Sequence, residues 1–235
     1  MPDVQGVLFD YGRTLVTFTY PTADLLSVLA KFRPRIEAAL GVPAPEAETI
    51  LHDVLLPLEQ YVRSMSEDEV DYMDVYRDAW HRAGLRLPDD LLHEILDAEQ
   101  LCWDRSVAVD DDAPAVLEVL RQRGIRCGIC SNAPFPAAMM RRQIDSTGIG
   151  RLMDAVVLSS EVGYRKPARG LYEAALRELG TAPERTLFAG DRVREDYEGP
   201  VALGMRAVVV TRHAEDEARD GVPTIDSLAE LPGLL

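Results

Sequence analysis

Cysteine, aromatic side chains and positive charge are all scarce in this chain, and no long apolar run occurs. Three cysteines cannot make a fully paired disulfide framework, which fits a reducing compartment. No stretch approaches the roughly 20 apolar residues that a membrane span needs. Met1-Pro2-Asp3 does not begin a secretory signal, so a cytoplasmic protein is expected. Lys and Arg number 25 against 40 Asp and Glu, a formal net charge of −15. That excess disfavours electrostatic binding to nucleic acid or to an anionic membrane. Cys127 and Cys130 do form a C-x-x-C. They lie within an apolar run that reads as a strand, where an offset of three puts them on opposite faces, so both are expected in packing.

What is present is a sizeable apolar fraction, 47% of 235 residues, enough to bury a full core. Five apolar runs read as strands: Val4 to Phe9, Ile125 to Cys130, Ala155 to Leu158, Thr186 to Ala189 and Ala207 to Val210. From Asp112 onward they alternate with helical segments at Ala113 to Arg123, Pro136 to Thr147, Gly170 to Leu179 and Gly199 to Leu203. Such alternation implies an α/β fold with a doubly wound parallel sheet. Pro223 to Leu235 reads as a last short strand and helix.

Between about Val16 and Val109 the pattern changes to helices only, at Ala23 to Leu40, Ala44 to Met65, Val70 to Ala83 and Asp89 to Arg105. Pro34 and Pro57 are expected to break or kink the first two. An insert that leaves the sheet after its first strand and returns before its second would sit over the strand ends as a lid. The expected division is a core of residues 1–15 and 110–235 with a helical domain of residues 16–109. Trp80, His81, Trp103 and Arg105 are candidates to line that lid. The acidic run Glu215-Asp216-Glu217 with Asp220 reads as a solvated face.

Four strand ends finish in polar residues: Asp10, Ser131-Asn132, Lys166-Pro167, and Gly190-Asp191 with Asp196 five positions on. Open α/β sheets carry their chemistry at such carboxyl ends. A carboxylate can attack phosphorus, splitting one hard displacement into two easier ones. An acidic chain that handles phosphate must create positive potential locally, with a bound cation and placed Lys or Arg residues.

LFDYGRTL around Asp10, ICSNA around Ser131, GYRKP around Lys166 and GDRVRED from Gly190 to Asp196 resemble the four motifs of the haloacid dehalogenase-like hydrolase superfamily. The helical insert resembles that family's type-one cap. The resemblance implies a Rossmann-type core and a Mg²⁺-dependent phosphatase acting on a small phosphorylated metabolite, with Asp10 as nucleophile. It implies catalytic roles for Ser131 and Lys166, and substrate contacts for Asn132, Thr14 and Arg13. It implies a Mg²⁺ shell of the Asp10 carboxylate, the Gly12 carbonyl, Asp191 and Asp196. Monomer and homodimer are both compatible with the sequence.

The pattern breaks at Gly12, where family phosphatases usually carry a second Asp that serves as acid and then base. Three readings follow. The first is a phosphatase that borrows the acid or base from Tyr11, Tyr20, His81 or Glu69, or that takes a substrate with a good leaving group. The second is a carbon–halogen or carbon–phosphorus hydrolase, for which the insert's one lysine, Lys31, would have to form a Schiff base in the phosphonatase case. The third is a ligand-binding or regulatory protein on an inherited scaffold.

Overall fold

The computed structural model describes residues 3–64, 67–215 and 219–235. The chain opens with strands β1 (Gly6–Phe9) and β2 (Val16–Phe18). Helical segments follow at α1 (Thr22–Leu40), α2 (Ala47–Ile50), a π-helical stretch Leu51–Leu55, α3 (Leu56–Arg63), α4 (Tyr72–Arg82) and α5 (Asp89–Ser106). Strand β3 (Val107–Val109) leads to α6 (Ala113–Gln122), β4 (Arg126–Ser131), α7 (Ala137–Ser146), β5 (Ala155–Leu158), α8 (Ser159–Val162) and α9 (Arg169–Leu179). The last elements are β6 (Thr186–Gly190), a π-helical turn Val193–Glu198, α10 (Gly199–Ala202), β7 (Arg206–Val210), β8 (Thr224–Ile225) and a 3₁₀ segment Leu228–Gly233.

Six strands form one parallel sheet in the order β5-β4-β1-β6-β7-β8. β1 sits at its centre because its four residues, Gly-Val-Leu-Phe, are buried on both faces. Alternate residues divide between two cores: Val7, Phe9, Ile129, Leu187 and Val208 pack with α6 and α7, while Leu8, Cys130, Phe188 and Ala207 pack with α9. Cys127 joins the first core and Cys130 the second. Burial pushes both thiols up to about 12, so these thiols stay protonated and inert at neutral pH. Among the described residues no helix is long and apolar enough to cross a membrane.

A third apolar cluster is built from the insert alone. It gathers Leu25 and Leu29 of α1, Val54 and Leu58 around α3, Trp80 of α4 and Ile95 of α5. Asp71 caps α4 by accepting from the Met73 and Asp74 amides at 2.9 and 3.2 Å. Phe135 and Met139, on the loop after β4 and on α7, pack against this cluster from the sheet side.

Two expectations from sequence are corrected, and the break expected at Pro57 is present. The segment from Val16 to Val109 is not helices only: Val16-Thr17-Phe18 pairs antiparallel with Val107-Ala108-Val109, so a two-stranded stem carries the insert. Three-residue strands leave no readable periodicity, and their pairing spans the whole insert. Pro34 does not end its helix, since α1 runs on to Leu40 and stops at Gly41, whose φ of 69° is left-handed. Pro57 occupies the first turn of α3, directly after the π-helical stretch. The wider π turn alters the hydrogen-bond ladder at the point where proline lacks a donor. The expected helix end at Met65 falls outside the described residues, as do Asp216 and Glu217 of the acidic run.

Candidate functional site

The carboxyl ends of β1, β4 and β6 place Asp10, Ser131 and Asp191 side by side, because these strands are neighbours in the sheet. Asp10 follows β1 directly, and its amide donates to the Ala189 carbonyl at 2.9 Å. Lys166 reaches in from the loop after α8. Its Nζ donates to Asp10 Oδ1 at 2.7 Å and to Asp196 Oδ1 at 2.6 Å. Lys166 is 4% exposed; burial alone would lower its pKa, but the two carboxylates outweigh that and hold it above its ordinary value. Lys166 is therefore a fixed positive charge.

Asp10, Asp191 and Asp196 can each present a ligand oxygen within 4.8 Å of the others. Asp191 Oδ2 is buried without a hydrogen-bond partner. Burial, then the charges of Asp10 and Asp196, raise the Asp191 carboxyl. Burial likewise raises Asp196, opposed by Lys166. One lysine does not compensate three clustered carboxylates. An unpartnered buried oxygen in a set of hard donors is what a small divalent cation satisfies, so the residues present fit such an ion.

Local structure explains the arrangement. Asp196 does not cap the segment starting at Gly199; it lies inside the π-helical turn, where its Oδ2 accepts the Arg192 amide at 2.9 Å. The wide turn swings that side chain back over β6. There it covers Gly190, where a Cβ would collide with Asp196 Cγ and Cβ. Asn132 grips the backbone of Lys166: its Oδ1 accepts the Lys166 amide at 2.6 Å and its Nδ2 donates to the Lys166 carbonyl at 3.2 Å. With both ends engaged, Asn132 positions the lysine loop.

A cavity of about 440 Å³ runs from these residues into the insert. Asp10, Gly12, Ser131, Lys166, Asp191 and Asp196 border one end. Arg13 borders it too, in a left-handed conformation (φ 60°) and paired with Glu215. Glu215 is exposed, as its reading on a solvated face expects, and there it pairs with Arg13 across the surface. Thr14 differs from its expected place at the substrate. It is 1% exposed, does not border the cavity, and its hydroxyl has no partner. The turn after Asp10 directs it into the core.

Trp103 borders the cavity, whereas Trp80 is fully buried in the insert's core, and Arg105 is exposed and pairs with Asp24 at 3.5 Å. Of the residues considered for a borrowed acid or base, Tyr20 borders the cavity; Tyr11, His81 and Glu69 do not. Glu69 is held at 3.0 Å by Arg165 in a nearly buried ion pair that ties the insert to the lysine loop. Burial raises the phenols of Tyr11 and Tyr20. Lys31 is exposed on α1 and away from the cavity, so it is not placed for a Schiff base. Glu59, Arg63, Gln100, Gln143, Arg192 and Glu195 border the cavity without having been singled out in the sequence. Their helical spacing carries no mark of which face turns inward.

A family description, "haloacid dehalogenase-like hydrolase", matches residues 3–204. A phosphoserine phosphatase of Thermus thermophilus is 31% identical over 96% of this chain and 88% of its own length. A glyceraldehyde 3-phosphate phosphatase of Methanothermobacter thermautotrophicus is 32% identical over 49% of this chain, a match that spans 54% of that relative. In fold, the chain is similar to a 2-haloacid dehalogenase of Pseudomonas syringae, with a TM-score of 0.69 and 19% identity over 98% and 97% of the two chains. With the motif-bearing strand ends gathered at one edge of a parallel sheet, the chain belongs to the haloacid dehalogenase-like hydrolase family.

Proposed function

We propose that this protein is a Mg²⁺-dependent phosphatase that hydrolyses a small phosphorylated metabolite through an aspartyl phosphate, and that residues 16–109 form a cap domain over its site. The observation that carries the reading is the junction of Asp10 and Lys166 beside the unpartnered Asp191 oxygen. A nucleophilic carboxylate, a fixed ammonium and a place for a hard cation thus share one end of the cavity. The phosphatase-named relatives support the same choice.

Asp10, Asp191, Asp196 and the Gly12 carbonyl would hold the cation, which when bound offsets the repulsion between the Asp10 carboxylate and a phosphate dianion. Lys166, hydrogen-bonded to Asp10, orients that carboxylate and adds positive charge beside the transferring group. Ser131, 5% exposed at the end of β4, offers a hydroxyl to a phosphate oxygen. In the first half-reaction an Asp10 oxygen bonds to phosphorus as the ester P–O bond breaks. The leaving oxygen either takes a proton from a cavity group other than residue 12 or departs as a stable anion. In the second, water attacks phosphorus, the Asp10–phosphorus bond breaks, and inorganic phosphate and free Asp10 result.

The test is phosphate release from acetyl phosphate and p-nitrophenyl phosphate, with Mg²⁺ and with chelator, by wild type and Asp10→Asn. Metal-dependent release lost in the variant is expected. Silence on both compounds and on a panel of phosphorylated metabolites, with Mg²⁺ still bound, would overturn the enzyme reading in favour of a binding protein.

A further inference from the structure

The far end of the cavity is built for a different charge from the near end. Tyr20 and Trp103 meet edge to face with ring centroids 5.2 Å apart, and Tyr72 and Phe135 meet at a tilt of 42° with centroids 4.6 Å apart. All four border the cavity together with Glu59. Among the described residues Glu59 makes no ion pair. Arg63, one turn along α3, approaches Glu215 instead, at 4.0 Å. The other cavity cations are engaged: Arg13 with Glu215, Arg165 with Glu69 and Lys166 with Asp10 and Asp196, while Arg192 lies beside Asp191 and Glu195.

Two amide side chains add to this acceptor surplus. Gln100 and Gln143 are 2% and 1% exposed. Both amide nitrogens donate to Asp104 Oδ1, at 3.2 and 3.0 Å. Asp104 is itself paired with Arg142 at 3.1 Å. A paired carboxylate accepts only, which fixes the orientation of both amides. Their Oε1 atoms therefore turn away from Asp104, and both are buried beside the cavity with no donor. Buried acceptors without donors are uncommon, and two beside an unpaired carboxylate inside aromatic walls indicate a missing donor group.

We propose that this end of the cavity binds the protonated amine of the substrate, so that the substrate class is phosphorylated amines, with Glu59 as the charge partner and the aromatic rings as the wall. The inference rests on the phosphatase reading for where the phosphate lies. An alkylammonium supplies up to three N–H donors for these acceptors, and its charge is attracted to the faces of Trp and Tyr rings. A hydroxylated chain of the same length supplies a donor but brings no positive charge to Glu59, whose nearest cation, Arg63, is one turn away and turned towards Glu215.

The test uses wild-type protein with Mg²⁺ and matched pairs of non-hydrolysable ω-aminoalkyl and ω-hydroxyalkyl phosphonates of increasing chain length, titrated by calorimetry. The best amine is expected to bind at least about tenfold more tightly than its hydroxyl partner, as a charge-assisted hydrogen bond requires. Glu59→Gln, with its fold checked by thermal melting, should bring that ratio close to one, and Trp103→Leu should reduce it. Equal or reversed affinities, a ratio untouched in Glu59→Gln, or binding of neither ligand would overturn the inference. Phosphate release from acetyl phosphate is followed in parallel. Amine preference without any release would retain this site and sink the phosphatase reading; release without amine preference would do the reverse.

Discussion

Replacing Gly12 by Asp should turn this protein into a much faster hydrolase of ordinary alkyl phosphates. Gly12 lies two residues beyond Asp10 and borders the cavity. Its φ lies outside the left-handed region, and a Cβ there would meet only Phe18 Cε2 at 3.4 Å, an ordinary contact. Phe18 is 39% exposed and can yield. The backbone thus accepts Asp without a change of conformation. General acid–base catalysis is worth roughly 10²- to 10⁴-fold, about 3 to 5 kcal/mol of barrier at 1.36 kcal/mol per decade. A fourth carboxylate adds repulsion, which places the expected gain at the lower end, near 10²-fold. The assay is kcat with Mg²⁺ for acetyl, p-nitrophenyl and ethyl phosphate. The gain should be smallest for acetyl phosphate and largest for ethyl phosphate, whose leaving oxygen most needs a proton. No gain on ethyl phosphate with Mg²⁺ affinity preserved, or an equal gain on all three, would show that an acid at residue 12 is not what limits turnover.

Lys166→Met should lower stability in the presence of chelator by about 3 to 5 kcal/mol, because it leaves buried carboxylates uncompensated; Mg²⁺ should restore part of the loss in a urea titration. Gly190→Ala should cost at least about 2 kcal/mol by overpacking against Asp196, and should weaken Mg²⁺ binding in the same titration. Burial pushes the Glu99 carboxyl up from 4.5 to about 8. The folded protein then holds a proton that the unfolded chain releases, so stability is full below about pH 4.5 and falls as pH rises towards 8. Glu99→Gln should remove that decline, worth a few kcal/mol, and parallel pH–stability curves for wild type and variant would contradict it.

The parts of the fold that were legible are those in which one strand carries its own signal. Val7-Leu8-Phe9 reads as buried on both faces, and it is. Cys127 and Cys130 read as facing opposite ways, and they enter different cores. Asp10, Ser131 and Asp191 were visible because they terminate such strands. The stem strands at Val16–Phe18 and Val107–Val109 were not, since each is too short to show alternation and its partner is remote. The π-helical turn that returns Asp196 over Gly190 has no separate sequence signature. Glu59, Gln100 and Gln143 were hidden for a further reason: they depend on how α3, α5 and α7 pack, and an amphipathic helix reports a buried face without naming its neighbour. Asn132 was legible as a polar strand end, but its grip on the Lys166 backbone is a contact between residues 34 positions apart.

The central claim is that Asp10 carries the phosphoryl group. Wild-type protein mixed with acetyl phosphate and Mg²⁺, quenched in acid and digested, should yield a peptide containing Asp10 heavier by one phosphoryl group, absent when Mg²⁺ is chelated and absent in Asp10→Asn. Phosphate release with no such adduct, together with undiminished turnover in Asp10→Asn, would contradict it.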